Sequence, residues 1–229
     1  QNLTVSVGET GVGVNATNAS GAWLVANATV GGVGTAGVAA DRTSGDWTVR
    51  DSTFLDRRTA VRAAVTSGNW TVRNTTVRDA SASAVQASAA MGDWTVNGLT
   101  VETAGESGVD AFGATGDWAV QNTTVDAARR GSVYAANTTG NWVVTNLTAT
   151  AGDGTAQNGT REAVVAFDAT GDWTVRDLTT ERVASGVDAS LTTGDWTVSD
   201  SLLAVDRVAV TAAGSTGDWR LLNTTTGGP

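Results

Sequence analysis

The chain contains no cysteine, no histidine and no lysine, and all 14 of its basic residues are arginine. Without cysteine no disulfide forms, so thiol chemistry argues neither for nor against secretion. Without cysteine and histidine the thiolate and imidazole metal sites are excluded. No nucleophile motif or phosphate-binding loop is present either. No apolar run approaches 18 residues, so no segment is long enough to cross a bilayer as a helix. Positive charge is scarce: 23 acids, 18 of them Asp, outweigh the arginines and leave a net charge of −9. That balance argues against nucleic acid and anionic membrane as partners, since both require a basic face. The chain also opens on Gln1 and not on Met, as expected of a processed or partial chain.

What the chain has instead is tryptophan at a fixed period. Trp23, Trp47, Trp70, Trp94, Trp118, Trp142, Trp173, Trp196 and Trp219 stand 24, 23, 24, 24, 24, 31, 23 and 23 residues apart. Repeats of this length stack as units that cannot bury an apolar face alone. Each tryptophan is preceded two residues earlier by Gly, from Gly21 to Gly217, and, Ala22 apart, one residue earlier by Asp or Asn. This is turn chemistry, with Gly expected at positive φ. Two residues after the tryptophan comes Val, or Leu221 in the ninth copy, with polar residues such as Thr48 and Arg50 between and beyond. Period-2 alternation of this kind predicts a short strand with Trp and Val facing inward.

Nine residues before each tryptophan is a Val (Val14 to Val210) and seven before is an Ala (Ala16 to Ala212), which predicts a second strand. Four after is Asn or Asp in every copy but one, where Gly98 stands, and an apolar residue three further on predicts a third strand. The expectation is therefore an all-β, right-handed, single-stranded parallel β-helix of about nine coils. Each coil has 23–24 residues and three short strands, and residues 1–229 form one domain. The surplus in the 31-residue copy falls at about 150–161, a Gly-rich stretch expected to loop out from one turn.

The phrase running from Gly68 to Val77, Gly-Asn-Trp-Thr-Val-Arg-Asn-Thr-Thr-Val, resembles the parallel β-helix repeat family over essentially the whole chain. That resemblance implies a ladder of Asn side chains at one turn, with Asn74, Asn122 and Asn146 turned inward. It carries little about activity, because folds of this kind serve as lyases, hydrolases, adhesins and inert spacers. The acid excess, the absence of Lys and the abundance of Asp, Ala, Thr, Val and Gly resemble secreted or surface proteins of salt-loving archaea. Eleven Asn-X-Ser/Thr sequons also point to the cell exterior. Asn15, and Asn158 on the inserted loop, are the candidates for glycosylation.

Three columns of residues invite a functional interpretation. The tryptophans could form a sugar-binding strip, but their inward parity makes them a core spine. Within the turn acids, Asp93, Asp117, Asp172 and Asp195 are candidates for Ca²⁺ or another cation. The plainer alternative is that they cap backbone in the turn, since no dense Asp-X-Asp cage is present. Charges after the third strand, such as Asp56, Arg57 and Arg58 or Glu181 and Arg182, read as exposed ion pairs and not as catalytic clamps. No catalytic residue, cofactor or enzymatic activity is expected.

The repeat begins within Gln1–Val5 and runs almost to Pro229, with no capping helix at either end. Open strand edges are templates for pairing. The sequence therefore predicts an extracellular or cell-surface structural protein. It would self-assemble head to tail into a filament, or form a stalk or surface-layer element, through Asn2, Leu3, Val5, Leu221, Leu222 and Asn223. The alternative is a carbohydrate-binding or polysaccharide-cleaving β-helix: an adhesin, lyase or glycosidase-like protein.

Overall fold

The alternation of polar and apolar residues around each tryptophan produces the strand expected of it, and copies of that strand lie side by side. In the computed structural model, which describes residues 3–6, 8, 10–151 and 162–228, the described strands form one continuous sheet and every pairing is parallel. Register is set by the repeat. Trp47 pairs with Trp70, Val49 with Val72 and Val61 with Val85. The chain is thus a parallel β-solenoid of about nine coils with no helix among the described residues. Each coil carries three strand segments, typified by Ala36–Ala39 and by Trp47–Leu55, which bends between its two halves.

The bend has a specific cause. The residue four after the tryptophan has a left-handed backbone in all nine coils: Asn27, Asp51, Asn74, Gly98, Asn122, Asn146, Asp177, Asp200 and Asn223 have φ of 47–70°. Asn, Asp and Gly tolerate this conformation best. The turn resets the in/out parity, so the residues at five and seven after the tryptophan are buried where six would continue the alternation; Ser52 and Phe54 are examples. The ladder asparagines consequently lie outside. Asn74, Asn122 and Asn146 are exposed, contrary to the inward orientation the resemblance implied. They still bond coil to coil: Asn74 Nδ2 donates to Asp51 Oδ1 at 3.0 Å and Asn146 Nδ2 to Asn122 Oδ1 at 2.9 Å. Where Gly98 breaks the ladder, Asn97 Oδ1 accepts from Asn122 instead.

A second left-handed corner falls five residues before each tryptophan, again in all nine coils, and includes Arg42, Val65 and Leu191 at φ 55–60°. A β-branched side chain is poorly suited to that backbone, so Val65 is held there by the coils above and below. The Gly two before each tryptophan, by contrast, has no positive φ. Its requirement is space: a Cβ on Gly116 would sit 2.7 Å from the carbonyl carbon of Gly92 in the preceding coil.

The core is the tryptophan column. From Trp23 to Trp196 successive ring centroids lie 4.8–5.0 Å apart with interplanar angles of 1–4°. The last step, Trp196 to Trp219, opens to 5.4 Å and 10°. Val columns and the fully buried alanines Ala40 to Ala189 fill the rest of the section. Bulk is traded across it: a Cβ on Gly37 would meet the Phe54 ring. The 31-residue copy leaves this register intact, with Val133 pairing Val164 and Val164 pairing Val187. Residues 152–161, with most of the predicted loop, lie outside the described residues.

Two expectations follow. Trp118→Ala removes a side chain stacked on both faces and should cost about 3–5 kcal/mol by chemical denaturation, whereas Trp219→Ala, half-exposed, should cost far less. Equal costs would mean the column is not the core. The indole N–H supplies the second test. Trp47 and Trp70 donate to Thr43 and Thr66, four residues earlier, each at 3.1 Å. Trp94 has Ala90 at that place, and its Nε1 is buried with no hydrogen-bond partner. At Trp142 and Trp196 the corresponding Thr138 and Thr192 are present, yet the indole bond is not closed. Ala90→Thr, beside the coil where the bond does form, should stabilise by about 1 kcal/mol. A loss of stability would show that the added hydroxyl does not fit.

Candidate functional site: a groove along the tryptophan edge

The residues flanking each tryptophan point outward from a turn on one side and from a strand on the other, leaving a crease between them. Stacked over the coils, the crease becomes a groove of about 1150 Å³ running from Trp23 to Asp218. One wall is the acid column: Asp46, Asp93, Asp117, Asp172, Asp195 and Asp218, with Asn69 and Asn141 interposed. The other is a hydroxyl column of Thr48, Thr71, Thr95, Thr174 and Thr197, interrupted by Ala119 and Val143. The tryptophans line the floor but are 2–4% exposed from Trp47 to Trp196, too little to offer a ring face to a sugar.

The acid column has a structural task. From Asp46 to Asp195, each side chain accepts a hydrogen bond from the backbone N–H of its counterpart one coil on. Asn69 N donates to Asp46 Oδ1 at 2.9 Å, Asp117 N to Asp93 Oδ1 at 3.0 Å and Asn141 N to Asp117 Oδ1 at 2.8 Å. The bonds from Asp195 N to Asp172 Oδ1 and from Asp218 N to Asp195 Oδ1, both 2.9 Å, continue it. The turn acids therefore cap the next coil's backbone, not their own. Asn69 and Asn141 substitute freely because an amide oxygen accepts as well as a carboxylate. Asp93, Asp117, Asp172 and Asp195 remain exposed, each with its second oxygen uncommitted to this ladder. Among the described residues no three acids come close enough together to hold a metal ion.

The other predicted positions are dispersed. Asn15 is exposed, as its glycosylation requires, while Asn158 lies outside the described residues. Of the assembly candidates, Asn2 also lies outside them. Leu3 and Val5 pair with Ala28 and Val30, and Leu221, Leu222 and Asn223 are exposed on the ninth coil. The charged column is not uniformly exposed. Arg78 and Glu102 do form a surface pair at 2.7 Å, but Arg57 is buried. Its Nη2 donates to the Gly31 carbonyl at 2.5 Å, and burial pulls its guanidinium below the usual arginine range.

One group outside the groove was not foreseen. Asp110 is buried, and desolvation holds its carboxyl above the ordinary range, partly offset by the Phe112 N–H. Tyr134 follows it in the same column. The available signal was the break in the repeat at these positions, not any motif.

The chain matches no family model, no curated protein and no solved structure.

Substitution of Asp117 separates the capping task from charge. Asp117→Asn keeps the acceptor and removes one charge from a row of like charges, so the melting temperature at low salt should hold or rise. Asp117→Ala removes the acceptor for Asn141 N and should cost about 1 kcal/mol. If Asn proves as damaging as Ala, the carboxylate's charge matters in itself, as it would for a bound cation.

Proposed function

We propose that the chain is an extracellular structural protein, a stiff rod that serves as a stalk or surface-layer element and lengthens by end-on stacking of copies. The observation that carries this reading is the unbroken core. The tryptophan, valine and alanine columns run through all nine coils without a cavity-forming interruption, and the 31-residue copy does not disturb them. Such a body resists bending because every inner coil is bonded to both neighbours through its strands.

The outer face of the ninth coil supports the stacking element. Trp219 and Leu221 are 50% and 42% exposed there, in columns that are buried through the inner coils, while Leu222, 50% exposed, continues an outward column that holds Arg50, Arg73 and Ser199. A further coil laid on that face, from flanking sequence or from a second copy, would continue the ladder. Between copies the contact is heterologous and does not close, so it propagates as a filament. The surface supports an exterior, salt-rich setting. Acids exceed arginines by 23 to 14, and every sequon asparagine among the described residues is exposed. The groove adds a row of six Asp, broken by Asn69 and Asn141, that attracts hydrated cations without a specific cage.

Negative-stain electron microscopy and light scattering in high salt test the proposal together. Filaments of uniform width are expected, and Leu221→Asp, in the column of Val175 and Val198, should abolish them while the far-ultraviolet circular dichroism stays that of the folded rod. A protein that remains monomeric at high concentration and high salt overturns end-on stacking.

A further inference from the structure

In a repeat protein the residues that recur hold the fold together, and the places where recurrence fails on the surface are free to carry something else. The outward column eight residues before each tryptophan reads Arg62, Gln86, Asp110, Tyr134, Val165 and Asp188 over coils three to eight. Two residues on, Phe112 and Phe167 replace the small or polar residues of other coils. Apart from the nine tryptophans and core Phe54, these three, Phe112, Tyr134 and Phe167, are the only aromatic residues in the chain. All three fall on coils five to seven at one corner. Chance scatter over a nine-coil surface does not favour that.

The corner is organised. Phe112 and Tyr134 stack with centroids 6.3 Å apart. The Arg130 guanidinium lies 3.7 Å from the Tyr134 ring centroid, and its Nη2 donates to the Tyr134 hydroxyl at 2.8 Å. Tyr134 is thus held from two sides. Beside it opens a pocket of about 400 Å³, with Phe167 and Val165 as its apolar wall. Arg129 and Arg130 supply hydrogen-bond donors at its rim, and Glu106, Glu162 and Asp188 line it with carboxylates. Phe167 is exposed and makes no ring contact with another aromatic among the described residues.

This lining selects its ligand by elimination. A small anion would face Glu106, Glu162 and Asp188, and a small cation would face Arg129 and Arg130. A purely apolar molecule would desolvate these charges, which is costly. A polyhydroxyl ring satisfies all of them. Each hydroxyl both donates and accepts, so it can bond guanidinium and carboxylate alike. Its C–H face packs on an aromatic ring, as Phe167 offers. The volume lies at the small end of ligand pockets, roughly 300–1,000 Å³, which suits one or two sugar rings and not a long chain. We propose that the Tyr134–Phe167 corner is a binding site for a neutral mono- or disaccharide unit, a recognition function separate from the rod itself.

Saturation-transfer NMR with the intact chain tests this, using cellobiose, maltose, lactose and diacetylchitobiose as probes, with digalacturonate as the charged control. At least one neutral disaccharide should bind with a millimolar or tighter Kd, and Phe167→Ala should weaken it at least tenfold. Arg129→Ala should weaken it as well. Both side chains are exposed, so the melting temperature should not move, and the Phe167→Ser variant provides a second check should Ala lower solubility. No binding of any neutral probe at 20-fold excess over a Kd of about 1 mM overturns the proposal. So does binding that survives Phe167→Ala, or preference for digalacturonate. None of these results depends on whether the rods form filaments.

Discussion

The distance between neighbouring parallel strands, about 4.8 Å, is the constraint on which every other feature of this molecule depends. Backbone hydrogen bonds fix it, and the 23- or 24-residue period places like residues directly above like. The side chains must then tolerate their own copies at that distance. Indoles do, because parallel rings at 4.8–5.0 Å can tilt and offset into contact. Valine and alanine do, because their volumes add into a column without voids. A residue that cannot stack on itself is forced outward or made to alternate.

Polar columns meet the same constraint by a different route. Carboxylates in a row repel, yet the row beside the tryptophans survives because each one has a bonding partner in the coil beyond it. The two asparagines inserted in that row reduce the repulsion without losing a bond. At the other corner the ladder alternates Asn with Asp in places, and there the Asn amide is the leading cause holding Asp51 and Asp200 below the ordinary carboxylate range. Those two acids consequently favour the folded rod above the ordinary Asp range, and that contribution is lost as pH falls through their depressed folded-state values. The core is less fully satisfied. Several indole N–H groups, among them those of Trp94, Trp118 and Trp173, are buried facing an alanine and have no partner. Stacking and burial outweigh that loss, since a ring of this size contributes more than one unmade bond costs.

How much of this was legible in the sequence follows from the same logic. The tryptophan, valine and alanine columns recur in every copy, so strand identity, coil length and inward parity could be read directly. The glycine before the turn was read for the wrong reason, because a sequence shows that Cβ is forbidden but not whether backbone twist or a neighbouring coil forbids it. The asparagine ladder was placed on the wrong side because the resemblance implied inward amides, whereas the left-handed residue at this position turns them out. The second left-handed corner was only partly marked: Asn18, Gly113, Asn137, Asp168 and Gly214 are residues that signal positive φ, but Arg42, Val65, Ala89 and Leu191 are not. The groove was implicit in the columns, but its second wall of threonines gained meaning only when the strands were laid side by side. The Tyr134 corner was illegible for the opposite reason: it consists of departures from the repeat, and periodicity treats departures as noise.

The location of those departures is itself a consequence of the stacking constraint. An inward position that changes must be compensated in the coils above and below, as Phe54 is by the missing side chain of Gly37. An outward position answers only to solvent and to its nearest neighbours. A turn can absorb a change in length, because the coil needs only to return to register. Trp142 and Trp173 remain 4.8 Å apart across 31 residues. Variation is therefore confined to the outer face and to the turns, and any chemistry beyond mechanical support has to be written there. The corner holding Phe112, Tyr134 and Phe167 is outward. It lies against the turn that carries Arg129 and Arg130, and it reaches onto the lengthened coil, where Phe167 stands. It is the part of the rod least bound by the repeat, and for that reason the part where recognition can arise without weakening the column beneath it.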